Sequence, residues 1–312
     1  MIVNAPKRIA TDVAWHPVGL VNVYFIGRPG DKWVLVDTGT PGHAAEVRAA
    51  AEARFGKDRP DAIVLTHGHF DHSGNALELA KEWRVPIYAH HLELPYVTGR
   101  SPYPPQDPLI GGFLGLASMF MPTSGADLSE RVEEIPDPPK LYEKVPSLVG
   151  WQWIHTPGHS PGHLSLFRES DATLLAGDAL ATESMESLRA LIKKKPELSA
   201  GPIPFNCDWQ ATAKSVRRLS ELQPRTIAAG HGIPISGGEL AEQLSTFAES
   251  LMPPKRGRYA IEPARTDENG IVSIPRPAPF AWLRMALRAV AATAGTIGAV
   301  MGARWVLTRR HR

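Results

Sequence analysis

Short apolar runs alternate with longer amphipathic segments along the first 250 residues of the chain. Apolar runs bounded by glycine, proline or aspartate predict β-strands over residues 18–26, 33–37, 62–65, 86–89, 151–155, 163–167, 173–176 and 226–229. Segments that are rich in alanine or have apolar residues at helical spacing predict helices over residues 43–55, 75–83, 208–222 and 239–250. Because strands and helices interleave throughout, the pattern predicts an α/β fold in which helices cover two mixed sheets.

Two segments interrupt this alternation. Residues 99–146 hold nine prolines and an apolar stretch at 111–121, and a long irregular insertion of this kind often forms a lid or a binding loop. Residues 253–279 are rich in proline and arginine, which is typical of a linker. We therefore expect one domain over residues 1–252, with a candidate lid inside it, and a linker that leads to a separate C-terminal tail.

The tail, residues 280–312, contains six arginines and no acidic residue. Its 15 uncharged residues between Arg288 and Arg304 would span ~22 Å as a helix, against ~30 Å for the hydrocarbon core of a bilayer. Trp282 and Trp305 at the interface, together with extended arginine side chains, could make up the difference. The tail is therefore a candidate membrane anchor, and a helix buried against the main domain or a partner chain is the open alternative.

Composition narrows the class of protein. Hydrophobic residues make up 43% and charged residues 21% of the chain, which excludes a disordered or fibrous protein and supplies a sizeable core. The formal charge is +2, and without the arginine-rich tail the remainder stands at −4, which argues against a nucleic-acid partner. The single cysteine, Cys207, excludes an intramolecular disulfide, and the N-terminus lacks the apolar run of a secretory signal. We expect a cytoplasmic protein, attached to the membrane if the tail inserts.

The densest cluster of ionisable side chains follows the predicted strand at 62–65. Four candidate ligands stand within six positions there: His67, His69, Asp71 and His72. Alternate residues of an extended chain point to the same side, so the first two can converge on one metal ion while the pair beyond the turn faces a second ion. Imidazole with carboxylate suits zinc, and also iron or manganese. This spacing therefore predicts a metal centre rather than a polar loop.

Further polar residues stand where other predicted strands end. Asp37, Asp178 and His231 each follow an apolar run, and His159 lies in the glycine- and proline-rich loop between two predicted strands. Strand ends are rigid platforms, so ligands that project from several of them can be held in a fixed geometry. We expect these residues to meet the histidine cluster at one edge of the fold.

This ordered set of residues resembles the metallo-β-lactamase fold superfamily over about residues 15–250. The resemblance implies a four-layer αββα sandwich of two mixed sheets flanked by helices, with two metal ions at the edge between the sheets. Carried over position by position, the implied ligands are His67, His69 and His159 for the first ion, Asp71, His72 and His231 for the second, and Asp178 as the bridge between them. Asp37 would lie behind the ligands and orient them through hydrogen bonds.

The aspartate at the bridging position narrows the resemblance to one branch of the family. The antibiotic-degrading branch typically has cysteine at this position. With aspartate there, the chain resembles instead the glyoxalase II, lactonase and related hydrolase branches. The implied cofactor is a pair of divalent ions, Zn²⁺ with Fe or Mn as alternatives, which lower the pKa of a water molecule so that hydroxide attacks a carbonyl carbon. Asp178 and Asp71 are the implied catalytic carboxylates, and Asp71 is a candidate proton carrier to the leaving group.

The sequence specifies the substrate less closely. Residues 237–252 contain no lysine or arginine, which weakens the case for a glutathione thioester as the substrate. The residues directly after Asp178 lack the tyrosine of lactonases that act on signalling lactones, which weakens the case for that substrate as well. The apolar stretch at 111–121 favours a substrate with an apolar portion. We expect hydrolysis of a small-molecule ester, lactone or thioester. Two alternatives stay open: a single-iron sulfur dioxygenase of the same fold, and a membrane-tethered protein whose activity is weak or lost.

Overall fold

The computed structural model describes residues 5–137, 140–184 and 195–276. The helices of these ranges are α1 Ala44–Phe55, α2 Phe70–Ser73, α3 Ala76–Trp83, α4 Leu94–Val97, α5 Gly112–Ala117, α6 Lys140–Lys144, α7 Trp209–Glu221 and α8 Leu240–Ser250. The strands are β1 Lys7–Arg8, β2 Val13–Val18, β3 Val21–Ile26, β4 Val34–Val36, β5 Ala62–Val64, β6 Ile87–Ala89, β7 Val132–Glu134, β8 Trp151–His155, β9 Leu164–Arg168, β10 Thr173–Gly177, β11 Thr226–Ala229, β12 Ile235–Ser236, β13 Arg265–Asp267 and β14 Gly270–Ser273.

The strands form two mixed sheets and one small hairpin within the described residues. The larger sheet has seven strands in the order β1 to β7, antiparallel as far as β4 and parallel from β4 to β7. The smaller sheet has five strands in the order β12-β11-β10-β9-β8, and β10 pairs with β11 in parallel. Each sheet therefore contributes a parallel pair, β4 with β5 and β10 with β11, whose carboxyl ends carry most of the predicted ligands.

Alternation along the strands sorts the core into three apolar layers. In β4, Val34 and Val36 face the other sheet, whereas Leu35 faces the cluster that includes residues of α1 and α3. In β10, Leu175 faces the inter-sheet layer, whereas Leu174 joins the cluster beneath α7 and α8. Burial on both faces requires apolar residues at successive positions, which explains why these strands are continuous apolar runs. The predicted αββα sandwich is thus confirmed.

The first predicted strand, residues 18–26, is corrected to two strands. The chain turns at Gly19 and Leu20, and β2 and β3 pair as an antiparallel hairpin on either side. Gly19 has φ +65°, and a Cβ there would collide with the Thr40 side chain, so the turn requires glycine. The sequence concealed β2 because His16 and Pro17 interrupt its apolar pattern.

The insertion at residues 99–146 is more regular than expected. Its described part contains the short helices α5 and α6, and β7 extends the larger sheet by pairing in parallel with β6. Leu114 and Leu141 are buried, so the segment packs onto the domain through these two short helices. The sequence concealed these elements because each is only three to six residues long.

Residues 253–276, predicted as a linker, also pack against the domain. Tyr259 is buried and donates a hydrogen bond of 2.7 Å to the Pro105 carbonyl, and the Ala264 N–H donates to the Cys207 carbonyl at 2.9 Å. The segment ends in the hairpin of β13 and β14. The predicted tail, residues 280–312, lies outside the described residues. Among the helices of the described ranges, none combines the length and apolar character needed to cross a bilayer.

Three neighbouring histidines lie away from the predicted ligands. His90 is buried, its ring stacks on that of His155 with 4.2 Å between centroids, and the ring of His91 lies 4.3 Å away. Burial, and then the neighbouring rings of His155 and His91, lowers the pKa of His90 from 6.5 to about 3. In the unfolded chain, His90 is protonated below about pH 6.5. In the folded protein, the same ring is protonated only below about pH 3. Stability therefore decreases as the pH falls through this window.

Between pH 6 and pH 4, we expect the free energy of unfolding of His90→Asn to fall less steeply with decreasing pH than that of the wild type, by about 1 kcal/mol per pH unit. Asparagine keeps an acceptor for the Leu92 N–H, which bonds to His90 Nδ1 at 3.2 Å. Urea unfolding at each pH measures the effect. The matched control is His91→Asn, whose side chain is 50% exposed and which should alter the pH dependence much less. Identical slopes for the two variants would contradict the prediction.

Candidate metal centre

The histidine motif follows β5, where the chain stays extended before it enters α2. His69 has φ −58° and ψ 152°, and α2 begins at the next residue, Phe70. The Ser73 hydroxyl donates to the carbonyls of Gly68 and His69 at 2.9 and 3.0 Å, which fixes the turn into the helix. The extended part thus presents His67 and His69, and the short helix presents Asp71 and His72.

Three ring nitrogens converge at the first position. His69 Nδ1 lies 3.0 Å from His67 Nε2 and 2.9 Å from His159 Nε2, and all three side chains are buried. Burial lowers the pKa of all three histidines, most strongly for His67 and His69. They are therefore neutral, which is the form in which imidazole binds a metal ion.

A carboxylate lies at the centre of the cluster. Asp178 directly follows β10, and its Oδ2 is 3.4 Å from His72 Nε2, 3.5 Å from His159 Nε2 and 3.2 Å from His231 Nε2. Asp71 Oδ2 lies 3.8 Å from the same ring nitrogen, His231 Nε2. Asp178 thus contacts members of both groups that the resemblance implies, although its role as a bridge stays a prediction.

Charge is distributed unevenly over the cluster. Burial alone would raise the pKa of Asp178, but His231 and His72 hold it well below its ordinary value. Burial alone would lower the pKa of these two histidines, but Asp178 outweighs it in both and raises their pKa values. The centre of the cluster thus attracts positive charge, which a divalent cation would supply.

Hydrogen bonds behind the ligands fix the orientation of the rings. The nitrogen that points away from the cluster is bonded in four histidines: His67 to Thr66 Oγ1 at 3.1 Å, His72 to Asp37 Oδ2 at 2.8 Å, His159 to Asn206 Oδ1 at 3.0 Å and His231 to the Leu20 carbonyl at 3.0 Å. Each bond leaves Nε2 free to face the cluster. Such support is typical of metal-binding histidines.

Asp37 lies where the resemblance places it, behind the ligands. One carboxylate oxygen accepts from the Thr66 N–H at 2.8 Å, and the other accepts from the Thr66 hydroxyl and from His72 Nδ1, both at 2.8 Å. The residue has φ +59°, which is uncommon outside glycine and costs backbone energy. Three hydrogen bonds offset this strain and connect the ends of β4 and β5.

The buried polar atoms of the cluster fit a metal ion. His72 Nε2, His231 Nε2 and Asp178 Oδ1 are buried without a hydrogen-bond partner among the described residues. Ligand atoms form three groups in which all lie within 4.8 Å of one another: His67 with His69 and His159, His67 with His72 and Asp178, and Asp71 with His72 and His231. Unpaired buried polar atoms are costly unless something binds them. The donor set, imidazole with carboxylate, suits a divalent ion.

Two supporting residues left no signal in the sequence. Glu93 is fully buried, and its carboxylate accepts from the Gly68 N–H at 3.0 Å, the Ser160 hydroxyl at 2.7 Å, the Gly162 N–H at 2.7 Å and the Tyr103 hydroxyl. It thereby joins the loop of His67 and His69 to the loop of His159. Asn206, whose side chain holds the ring of His159, was also missed in the sequence. Both residues contact partners that are distant in the chain, and such contacts leave no periodic pattern around the residue itself.

His163 takes a structural position beside the cluster. Its Nε2 accepts from the backbone N–H of Asp178 at 2.8 Å, and Nδ1 lies 2.8 Å from the Thr156 hydroxyl. Burial lowers its pKa well below the ordinary value, so the ring is neutral. Both ring nitrogens are thus engaged by the protein, and His163 holds the backbone of Asp178 in place.

A cleft of about 500 Å³ opens directly above the cluster. Candidate ligands lie at its base, including His69, Asp71 and Asp178. Its walls come from the β2–β3 hairpin, from α5 in the insertion and from the segments around Phe205 and Ile233. This volume is typical of a small-molecule site.

Comparison with known proteins agrees with this architecture. The sequence model of the metallo-beta-lactamase superfamily matches residues 16–231. The chain is 40% identical over 238 residues to a probable metallo-hydrolase, YflN, of Bacillus subtilis, covering 75% of this chain and 89% of that protein. It is 33% identical over 213 residues to a second probable metallo-hydrolase of that organism, YybB, and the match covers 68% of this chain and 80% of YybB.

A solved structure shares the fold. A beta-lactamase domain protein from Burkholderia ambifaria superposes with a TM-score of 0.53 at 17% sequence identity, covering 80% of this chain and 77% of that one. At this identity the likeness concerns the fold alone. The family match, by contrast, spans Asp37 and every candidate ligand from His67 to His231. The chain belongs to the metallo-β-lactamase superfamily.

Proposed function

We propose that the chain is a dinuclear metal-dependent hydrolase that cleaves a small ester, lactone or thioester with an apolar portion. The observation that carries the proposal is the position of Asp178, whose Oδ2 lies within 3.5 Å of His72, His159 and His231. One carboxylate between two groups of histidines is the arrangement that a pair of ions needs. The apolar cleft above the cluster supports a small organic substrate.

In this proposal, His67, His69 and His159 would hold one ion, Asp71, His72 and His231 would hold the other, and Asp178 would be shared between them. When bound, two divalent ions lower the pKa of water and polarise a carbonyl oxygen. The chain itself orients these groups: Asp37 and Asn206 fix the rings of His72 and His159. These contacts hold the ligands in one geometry before substrate arrives.

Proton transfer falls to Asp71 in the proposed reaction. Its side chain is 15% exposed and lines the cleft, so it can contact both the cluster and a bound substrate. A carboxylate in that position can carry the proton to the leaving group. Cys207 does not compete as a nucleophile, because it is buried and burial raises the pKa of its thiol far above the ordinary value.

Metal analysis tests the proposal directly. Purified full-length protein is expected to carry about two divalent ions per chain, and a chelator should abolish hydrolysis of a panel of esters, lactones and thioesters. Reconstitution with zinc, iron or manganese separately identifies the active metal. A single tightly bound iron, with oxygen consumed in the presence of a persulfide, would instead identify the sulfur dioxygenase alternative and overturn the proposal.

A further inference from the structure

The walls of the cleft are largely apolar. The insertion contributes Phe113, Leu114 and Met121, and Phe205 lines the cleft with its ring centroid 5.5 Å from that of His69. The β2–β3 hairpin contributes Leu20, and the segment after β11 contributes Ile233. Apolar side chains from four separate parts of the chain thus line the cleft above the metal cluster.

Several of these wall residues are incompletely buried. Leu20 is 60% exposed, Phe113 is 48% exposed and Ile233 is 39% exposed. Large apolar side chains grouped around a cleft and open to water mark a binding surface, since a ligand that covers them gains hydrophobic free energy. The surface at the mouth is therefore suited to the apolar part of a ligand whose reacting group lies deeper.

The walls of the cleft carry little charge away from the metal cluster. Apart from the candidate metal ligands, the charged residues among the described lining are Lys7 and Glu183, one of each sign. A carboxylate on the part of a substrate that lies along these walls would lose its hydration and find one cation in return. This distribution favours an uncharged substrate body.

We propose that the cleft binds an uncharged, medium-length acyl chain, and that Phe113 determines the selectivity for chain length. The proposal rests on the proposed function, because it places the acyl carbonyl at the metal cluster and the hydrocarbon chain along the apolar wall. Moving one methylene out of water raises the affinity about fourfold, so several methylenes produce a large effect.

Chain-length selectivity is measured with 4-nitrophenyl esters from acetate to octanoate and the metal-loaded, full-length protein. We expect kcat/KM to rise about tenfold or more from acetate to octanoate. The singly charged 4-nitrophenyl succinate, which has the four acyl carbons of butanoate, should react at least about tenfold more slowly than butanoate. A flat series, or a preference for succinate, would overturn the acyl-chain assignment.

Two variants on the insertion localise the effect. Phe113→Ser should lower kcat/KM for octanoate about tenfold and leave acetate within about twofold, because the phenyl ring contacts only the distal chain. Phe120→Ser is the matched control: Phe120 is 85% exposed, belongs to the same insertion and does not line the cleft. Equal losses in both variants, or equal losses for both esters, would contradict the role of Phe113.

A binding measurement separates this proposal from the proposed hydrolysis. Octanamide should raise the melting temperature of the wild type and of Phe120→Ser, and should raise that of Phe113→Ser much less, with acetamide as the short-chain control. Stabilisation by octanamide with no hydrolysis of any ester, lactone or thioester would support the acyl cleft and reject the hydrolase function. Hydrolysis without any such stabilisation would reject the acyl cleft alone.

Discussion

Replacing Asp178 with asparagine is expected to reduce the metal content from about two ions per chain to about one, and hydrolysis by at least about a hundredfold. The carboxylate has no counterpart in the cluster that could substitute for it, because its Oδ2 alone lies within 3.5 Å of three histidines. The amide has the same size but no charge, so it cannot neutralise two cations. Even residues behind metal ligands are typically worth 10–100-fold, and a bridging ligand should exceed that.

Elemental analysis of purified Asp178→Asn measures the first effect, and kcat/KM measures the second. Asp208→Asn is a matched control, because Asp208 caps α7 by accepting from the Ala211 N–H at 2.9 Å and asparagine caps a helix equally well. The control should keep two ions and full activity. Two ions retained in Asp178→Asn would show that this carboxylate does not bridge the centre.

Replacing Glu93 with glutamine is expected to destabilise the protein by about 3 kcal/mol and to weaken metal binding at the first site about 10–100-fold. Burial raises the pKa of Glu93, and its four hydrogen-bond donors offset this only in part. Each carboxylate oxygen accepts two of these bonds. An amide NH₂ in place of either oxygen would face two donors and leave them unpaired in the interior.

The effect of Glu93 on metal binding distinguishes positioning from mere stability. Gly68 stands between His67 and His69, and Ser160 follows His159, so the loss of Glu93 should let the two loops separate and lower the metal affinity. Tyr103→Phe removes one of the four donors and should cost only about 1 kcal/mol. Glu130→Gln, at an exposed position paired with Lys81, should change neither property. Wild-type metal affinity in a folded Glu93→Gln protein would contradict the positioning role.

The strands and the candidate ligands could be predicted because both leave local patterns. A strand buried on both faces must be apolar at successive positions, as Val34, Leu35 and Val36 are in β4. Ligands that follow such strands appear as isolated polar residues at sharp boundaries, such as Asp178 after an apolar run. The geometry brings all seven predicted ligands together.

Features with a mixed pattern were predicted less well. β2 was missed because proline and histidine interrupt it, and the insertion concealed β7 because three residues are too few to show a period. Residues 253–276 have a linker composition, yet the buried side chain of Tyr259 and the backbone bond from Ala264 to Cys207 hold them against the domain. Composition describes a segment on average and does not reveal a few anchoring contacts.

The sequence by itself determined the fold class, the family and the set of candidate ligands, because strand periodicity and ligand spacing are properties of neighbouring residues. Only the tertiary structure decided which residues support that set and what covers it. Glu93 accepts hydrogen bonds from Gly68, Ser160 and Gly162, which lie 25 to 69 positions away, and four distant segments form the walls of the cleft. Contacts at such separations arise from how the two sheets pack, and packing leaves no spacing in the chain from which to infer them.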